Sequence, residues 1–202
     1  MVKKTASEII TEKTRQNYWS RTQTKPKKYK MTTRKAKDYV VLDFETTGFR
    51  AGSDQIIQIG AVKYFNHERV DKLNMLVNPE RTISSRITQL TRISNEMVEH
   101  APTIDRAIHD LLDFIGDLPI VAHNASFDMG FLYALDGKDG VTIPEYSVID
   151  TVKLARKIIT ETPNHKLTTL THYLQLEHDA HDALGDCLAT GAIYQYCLGV
   201  WK

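Results

Sequence analysis

Val40-Val41-Leu42-Asp43-Phe44-Glu45-Thr46-Thr47-Gly48 carries both a fold signal and a chemical one. The β-branched and apolar run predicts a strand over 39–44, and Thr46, Thr47 and Gly48 predict the turn that ends it. Side chains of a strand alternate with period two, so Asp43 and Glu45 project from one face at its carboxyl end. Two neighbouring carboxylates repel, and a folded protein tolerates them mainly where cations or protons relieve the repulsion. A lone Asp-x-Glu can also be a surface strand end with two solvated acids, but the Val-rich run before it argues for burial.

Outward from this strand the pattern first continues in β. Runs over 56–65 and 70–77, joined by the polar turn Asn66, His67, Glu68, predict a three-strand antiparallel meander. Helical spacing follows at 96–99 and over 103–115, where Ile104, Ala107, Ile108, Leu111, Leu112 and Ile115 share a face and Gly116 and Pro119 end the helix. A short strand over 119–123 leads into a helix over 126–135 closed by Gly137. A strand at 147–149 precedes a helix over 150–159 with Asp150 and Thr151 as cap candidates, and helices over 167–174 and 183–198 complete the chain. A meander followed by alternating helices and strands predicts one α/β domain on a mixed sheet.

Two further clusters sit where elements change. His123-Asn124-Ala125-Ser126-Phe127-Asp128 places Asp128 in the first turns of a helix that follows a short strand. An acid there also compensates the helix dipole, and Asn124 and Ser126 are cap candidates. His181-Asp182-Ala183-Leu184-Gly185-Asp186 opens the last helix, with Asp182 as its cap, Asp186 one turn inside and His181 just outside. Taken alone, His181 could be a loop histidine and Asp186 a solvated helix acid.

Together the three segments resemble the DEDD exonuclease superfamily, in particular its His-bearing (DEDDh) branch, which includes the proofreading epsilon subunit of bacterial DNA polymerase III. Asp-x-Glu-Thr-Thr-Gly matches at 43–48, Asn-x-x-Phe-Asp at 124–128 and His-x-Ala-x-x-Asp at 181–186, in that order, and the resemblance runs from Tyr39 to about Leu198. It implies a ribonuclease-H-like mixed sheet, an antiparallel three-strand meander plus parallel strands, flanked by helices. The activity it implies is a metal-dependent 3′-to-5′ exonuclease, a phosphodiester hydrolase releasing nucleotides from single-stranded or frayed DNA 3′ ends. Asp43, Glu45, Asp128 and Asp186 would hold two divalent cations, and His181 would be the general base. Phe44, Thr46, Thr47, Leu90, Asn124 and Phe127 would bind the terminal nucleotide. An all-oxygen carboxylate set favours Mg²⁺ or Mn²⁺ over zinc, and two such ions, roughly 3.5 to 4 Å apart, suit an in-line displacement at phosphorus. Where the family often carries Leu-Thr-Gly-Ile, this chain has Leu90, Thr91, Arg92 and Ile93; Arg92 either meets a phosphate or points to solvent. An exoribonuclease or oligoribonuclease of the same superfamily is the nearest alternative, and a catalytically silent nucleic-acid-binding or polymerase-docking module is a third. A DNA polymerase is an expected partner. The histidines at 67, 100, 109, 123, 165, 172 and 178 are given no catalytic role.

Bulk properties bound these readings. With 42% hydrophobic and 25% charged residues the chain has the composition of a globular protein. No apolar run approaches the roughly 18 residues a membrane span needs, and residues 1–37 lack the apolar core of a secretory signal, so a cytoplasmic location is expected. Cys187 and Cys197 lie ten residues apart on one expected helix, about 15 Å along its axis, too far for a bridge within that helix. The net charge of +1 conceals an asymmetry: residues 1–37 carry +10 and the remainder −9. This divides the chain into a basic flexible arm, 1–37, with a short helix over 7–17, and an exonuclease domain, 38–202. The arm either is simply solvated or tethers nucleic acid, with Tyr18, Trp19 and Tyr29 available to stack on unpaired bases.

Overall fold

A computed structural model describes residues 28–178 and 180–201. Its six strands are β1 (Lys30–Met31), β2 (Tyr39–Thr46), β3 (Ile56–Phe65), β4 (Glu68–Leu76), β5 (Ile120–Ala122) and β6 (Ser147–Asp150), in the sheet order β1-β6-β5-β2-β3-β4. Strands β2, β3 and β4 form the expected antiparallel meander, while β5 runs parallel to β2, β6 to β5 and β1 to β6. The helices among the described residues are α1 (Ser85–Thr91), α2 (Asn95–Val98), α3 (Ile104–Ile115), α4 (Ser126–Ala134), α5 (Thr151–Ile158), α6 (Leu167–Tyr173) and α7 (Ala183–Leu198).

The period-two alternation of β2 divides the core. Val40, Leu42 and Phe44 face the cluster formed with Ala107, Ile108, Leu111 and Ile115 of α3 and Met129 and Leu132 of α4. Tyr39 and Val41 face the opposite cluster, which includes Cys187 and Tyr194 of α7. A strand covered on both faces must be apolar throughout, which is why β2 reads as a continuous Val-rich run. Asp43 and Glu45 continue the Tyr39 and Val41 face, so their direction is toward α7. At the sheet's margin, β4 is mostly exposed and carries Glu68, Arg69, Asp71 and Lys72. Cys187 and Cys197 are both free and buried, and no helix among the described residues is long and apolar enough to cross a membrane.

The helix starts follow from local chemistry. Asp150 accepts from the backbone N–H of Val152 to cap α5, and Asp182 accepts from that of Gly185 to cap α7. Helix α1 is an addition to the expected elements. Only Ile87 and Thr91 of its seven residues are buried, too few to make a periodic stripe; the Ser84 side chain caps it and Arg92 closes it in the left-handed region at φ 62°.

Strand β1 also departs from expectation, because it lies inside the stretch read as a flexible arm. Lys30 N–H donates to the Tyr146 carbonyl and Thr32 N–H to that of Val148, both at 2.9 Å. Ala36 N–H donates to the Tyr194 hydroxyl, and Tyr29 stacks on Tyr133 with ring centroids 5.5 Å apart. Residues 28–37 therefore belong to the body, and Tyr29 is engaged within it. A two-residue, half-exposed outer strand needs no apolar alternation, so its composition resembles that of a linker. The rest of the expected arm, with the helix over 7–17, Tyr18 and Trp19, lies outside the described residues.

Candidate active site

The carboxyl end of β2, the start of α4 and the start of α7 meet at one point. Asp128, in the first turn of α4, is 1% exposed, and its Oδ1 accepts the N–H of Phe44 at 3.1 Å, tying α4 to β2 between Asp43 and Glu45. Residue Ala125 caps α4 without a side-chain bond, so Asn124 is not spent on capping; it adopts φ 61° and lines the cleft.

Strand β3 positions α7. Gln58, paired opposite Glu45, donates from Nε2 to Asp182 Oδ1 at 2.8 Å and accepts the N–H of Ala183 on Oε1 at 3.1 Å. Gly60, opposite Asp43, allows the close approach, since a Cβ there would stand 2.4 Å from the Ala183 backbone carbonyl. This seating brings Asp186 to the β2 carboxylates. One ligand atom each of Glu45, His181 and Asp186 lie within 4.8 Å of one another. His181 is exposed and sits in the left-handed region at φ 68°, just ahead of the cap.

A cleft of about 290 Å³ opens over this point. Asp43, Glu45, Asp186 and His181 line it, as do Phe44, Thr46, Leu90, Asn124 and Phe127 from the expected nucleotide-binding set. Asp128 is buried beneath. Thr47 is the exception among the expected residues: its hydroxyl accepts the N–H of Gln55 and its own N–H donates to the Gln55 carbonyl, so it braces the β2–β3 turn. Sequence reading passed over Phe49, whose ring is 74% exposed at the cleft, and Ile87 of the unexpected helix α1. It also passed over His178. That side chain is 5% exposed and its Nε2 lies 2.5 Å from Asp186 Oδ1; standing outside the matched motifs, it carried no signal of this contact.

The electrostatics follow from burial of like charges. Desolvation, then the charges of Asp128, Asp186 and Glu45, pushes the Asp43 carboxyl well above its ordinary range. Burial, then Asp186 and Asp128, lifts Glu45 to about 8. Asp128 is raised chiefly by burial, against the opposing hydrogen bonds from backbone N–H groups including that of Phe44. Asp186 is also raised by burial, with the His178 hydrogen bond opposing. Such a group either binds protons or holds cations, and its oxygen donors could hold a divalent metal. By contrast His123, bonded to Thr151 Oγ1 and the His165 carbonyl, is lowered to about 4 by burial, as suits a packing residue.

Comparison with known proteins bears on the family and the fold. Residues 40–194 match the RNase T family model, described as Exonuclease. A DNA polymerase III of the PolC type from Caldanaerobacter subterraneus subsp. tengcongensis is 41% identical over 160 residues, covering 78% of this chain and 11% of that protein. The chain thus spans about a tenth of such relatives' length. Exonuclease X, solved in complex with 5′ overhanging duplex DNA, superposes with a TM-score of 0.63 at 27% identity, covering 80% of this chain and 91% of the other. Exonuclease I shares the fold with a TM-score of 0.66 at 18% identity, over 80% of this chain and 43% of its own. The mixed sheet flanked by helices is therefore the ribonuclease-H-like one implied by the three motifs, and the chain belongs to the exonuclease family.

Proposed function

We propose that the chain removes nucleotides one at a time from the 3′ end of single-stranded or frayed DNA. The observation that carries this is the meeting of Asp43, Glu45, Asp128 and Asp186 around one cleft whose rim bears His181. The four carboxylates would hold two divalent cations, and a set without thiolate suits Mg²⁺ or Mn²⁺. When bound, the cations offset the charge of the phosphodiester and stabilise the attacking and leaving oxygens of an in-line displacement.

The protein's own groups do the rest. His181 takes a proton from the attacking water as the new oxygen–phosphorus bond forms, and the bond to the 3′ oxygen of the preceding nucleotide breaks. Phe44, Leu90 and Phe127 give the terminal base an apolar bed, Thr46 and Asn124 offer polar contacts, and the exposed Phe49 ring can stack on a base. The DNA preference draws support from a relative that is a DNA polymerase III and from a similar structure holding duplex DNA with an overhang. A polymerase is the proposed partner on the same ground.

Matched DNA and RNA oligonucleotides labelled at the 3′ end test this reading. Release of the label from DNA ahead of RNA is expected with Mg²⁺ or Mn²⁺, and none with EDTA. Asp43→Ala and Asp186→Ala should each lower turnover beyond the roughly 10- to 100-fold typical of losing an outer-shell partner, with circular dichroism unchanged. Cleavage in EDTA, or full turnover in either variant, refutes the metal-dependent mechanism.

A further inference from the structure

His181 and His178 lie three residues apart in the segment between α6 and α7, yet their surroundings are opposite. His181 is exposed and lines the cleft. His178 is not among the cleft-lining residues; its side chain is 5% exposed and its Nε2 stands 2.5 Å from Asp186 Oδ1. Its other ring nitrogen lies 3.4 Å from the hydroxyl of Thr171 on α6, and that hydroxyl donates to the Thr168 carbonyl at 3.0 Å. Asp186 is thus approached from two sides, by His181 at the cleft and by a buried imidazole held from α6.

A carboxylate that ligates a cation works best when its plane is fixed before the cation arrives, and outer-shell hydrogen bonds commonly supply that constraint. We infer that His178 is a positioning residue: its Nε2–H, donated to Oδ1, orients Asp186 for a divalent cation. This rests on the metal-site reading above and adds a residue outside the three motifs. The division of labour is that His181 handles the substrate water and His178 does not touch the reacting atoms. The imidazole is packed beside α6, where the buried Thr171 hydroxyl stands 3.4 Å from its other ring nitrogen.

The test is Mn²⁺ binding to the metal-free full chain, by titration calorimetry and by loss of the free-ion electron paramagnetic resonance signal. His178→Ala should weaken binding about 10-fold or more and lower kcat with little change in KM for a DNA oligonucleotide. His178→Gln, whose amide can still donate to Oδ1, should recover most of the affinity. A loop-anchoring role alone would lower the melting temperature and leave Mn²⁺ affinity in place. If His178→Ala fails to fold, His178→Phe, which fills the space without a donor, is compared with His178→Gln by the same criterion. Wild-type affinity in the donor-less variant, or no recovery with Gln, overturns the inference while leaving the metal site intact. Failure of the wild-type chain itself to bind Mn²⁺ overturns both.

Discussion

Glu45 shows how much one side chain reports about this site. Burial, then the neighbouring acids, disfavours the charge of its carboxyl and pushes it up from an ordinary value of 4.5 to about 8. A raised folded-state pKa means that the native protein binds more protons than the unfolded chain between those values. Stability is then greatest below about 4.5 for this group and is lost as pH rises toward and through 8. We therefore expect the melting temperature of EDTA-treated protein to fall between pH 5.5 and 8.5, and added Mg²⁺ or Mn²⁺ to raise it more at the upper pH. A cation-induced rise that is equal at both values would contradict this. Asp43 and Glu45 were legible because an alternating pattern at a strand end fixes where side chains point. The bond between Thr47 and Gln55 that braces the turn, and the reach of His178 to Asp186 across a loop, were not, because neither contact leaves a periodic trace.

Among the elements, α7 is the one whose placement the chemistry depends on. Its boundaries were readable from Asp182 and from the helical run to Leu198, but its seating on β3 was not, because close packing against Gly60 is a property of two distant segments. Gly60→Ala would push against the Ala183 backbone, which has no flexible end to yield. The expected result is destabilisation of about 1 to 3 kcal/mol by overpacking in chemical denaturation, together with weaker Mn²⁺ binding as Asp186 moves off. An unchanged unfolding midpoint would show that α7 can shift freely. Strands β2 and β3 were legible through their apolar runs, whereas α1 was missed because its contribution to the cleft comes from Ile87, Leu90 and Thr91 on a helix with little buried face.

At the scale of the molecule, charge separates ends from body. Residues 1–27 hold seven Lys and Arg against two Glu, and the body that follows is net acidic. A chain beginning at Lys28 retains β1. In an Asp43→Ala background, where DNA survives, it should bind single-stranded DNA more weakly, with a salt dependence of log K shallower by up to about 3 to 4. Equal affinity for the two chains at low and moderate salt would show that the basic segment is merely solvated. Lys30 and Met31, which composition assigns to the arm before Asp38, pair with β6 through backbone groups that composition does not reveal.

The outer strand β4 has a further consequence. An outer strand invites foreign chains to add on, and among the described residues β4 is outermost and carries Glu68, Arg69, Asp71 and Lys72, charges of the kind that discourage such pairing. Growth of the sheet on that side is thereby disfavoured.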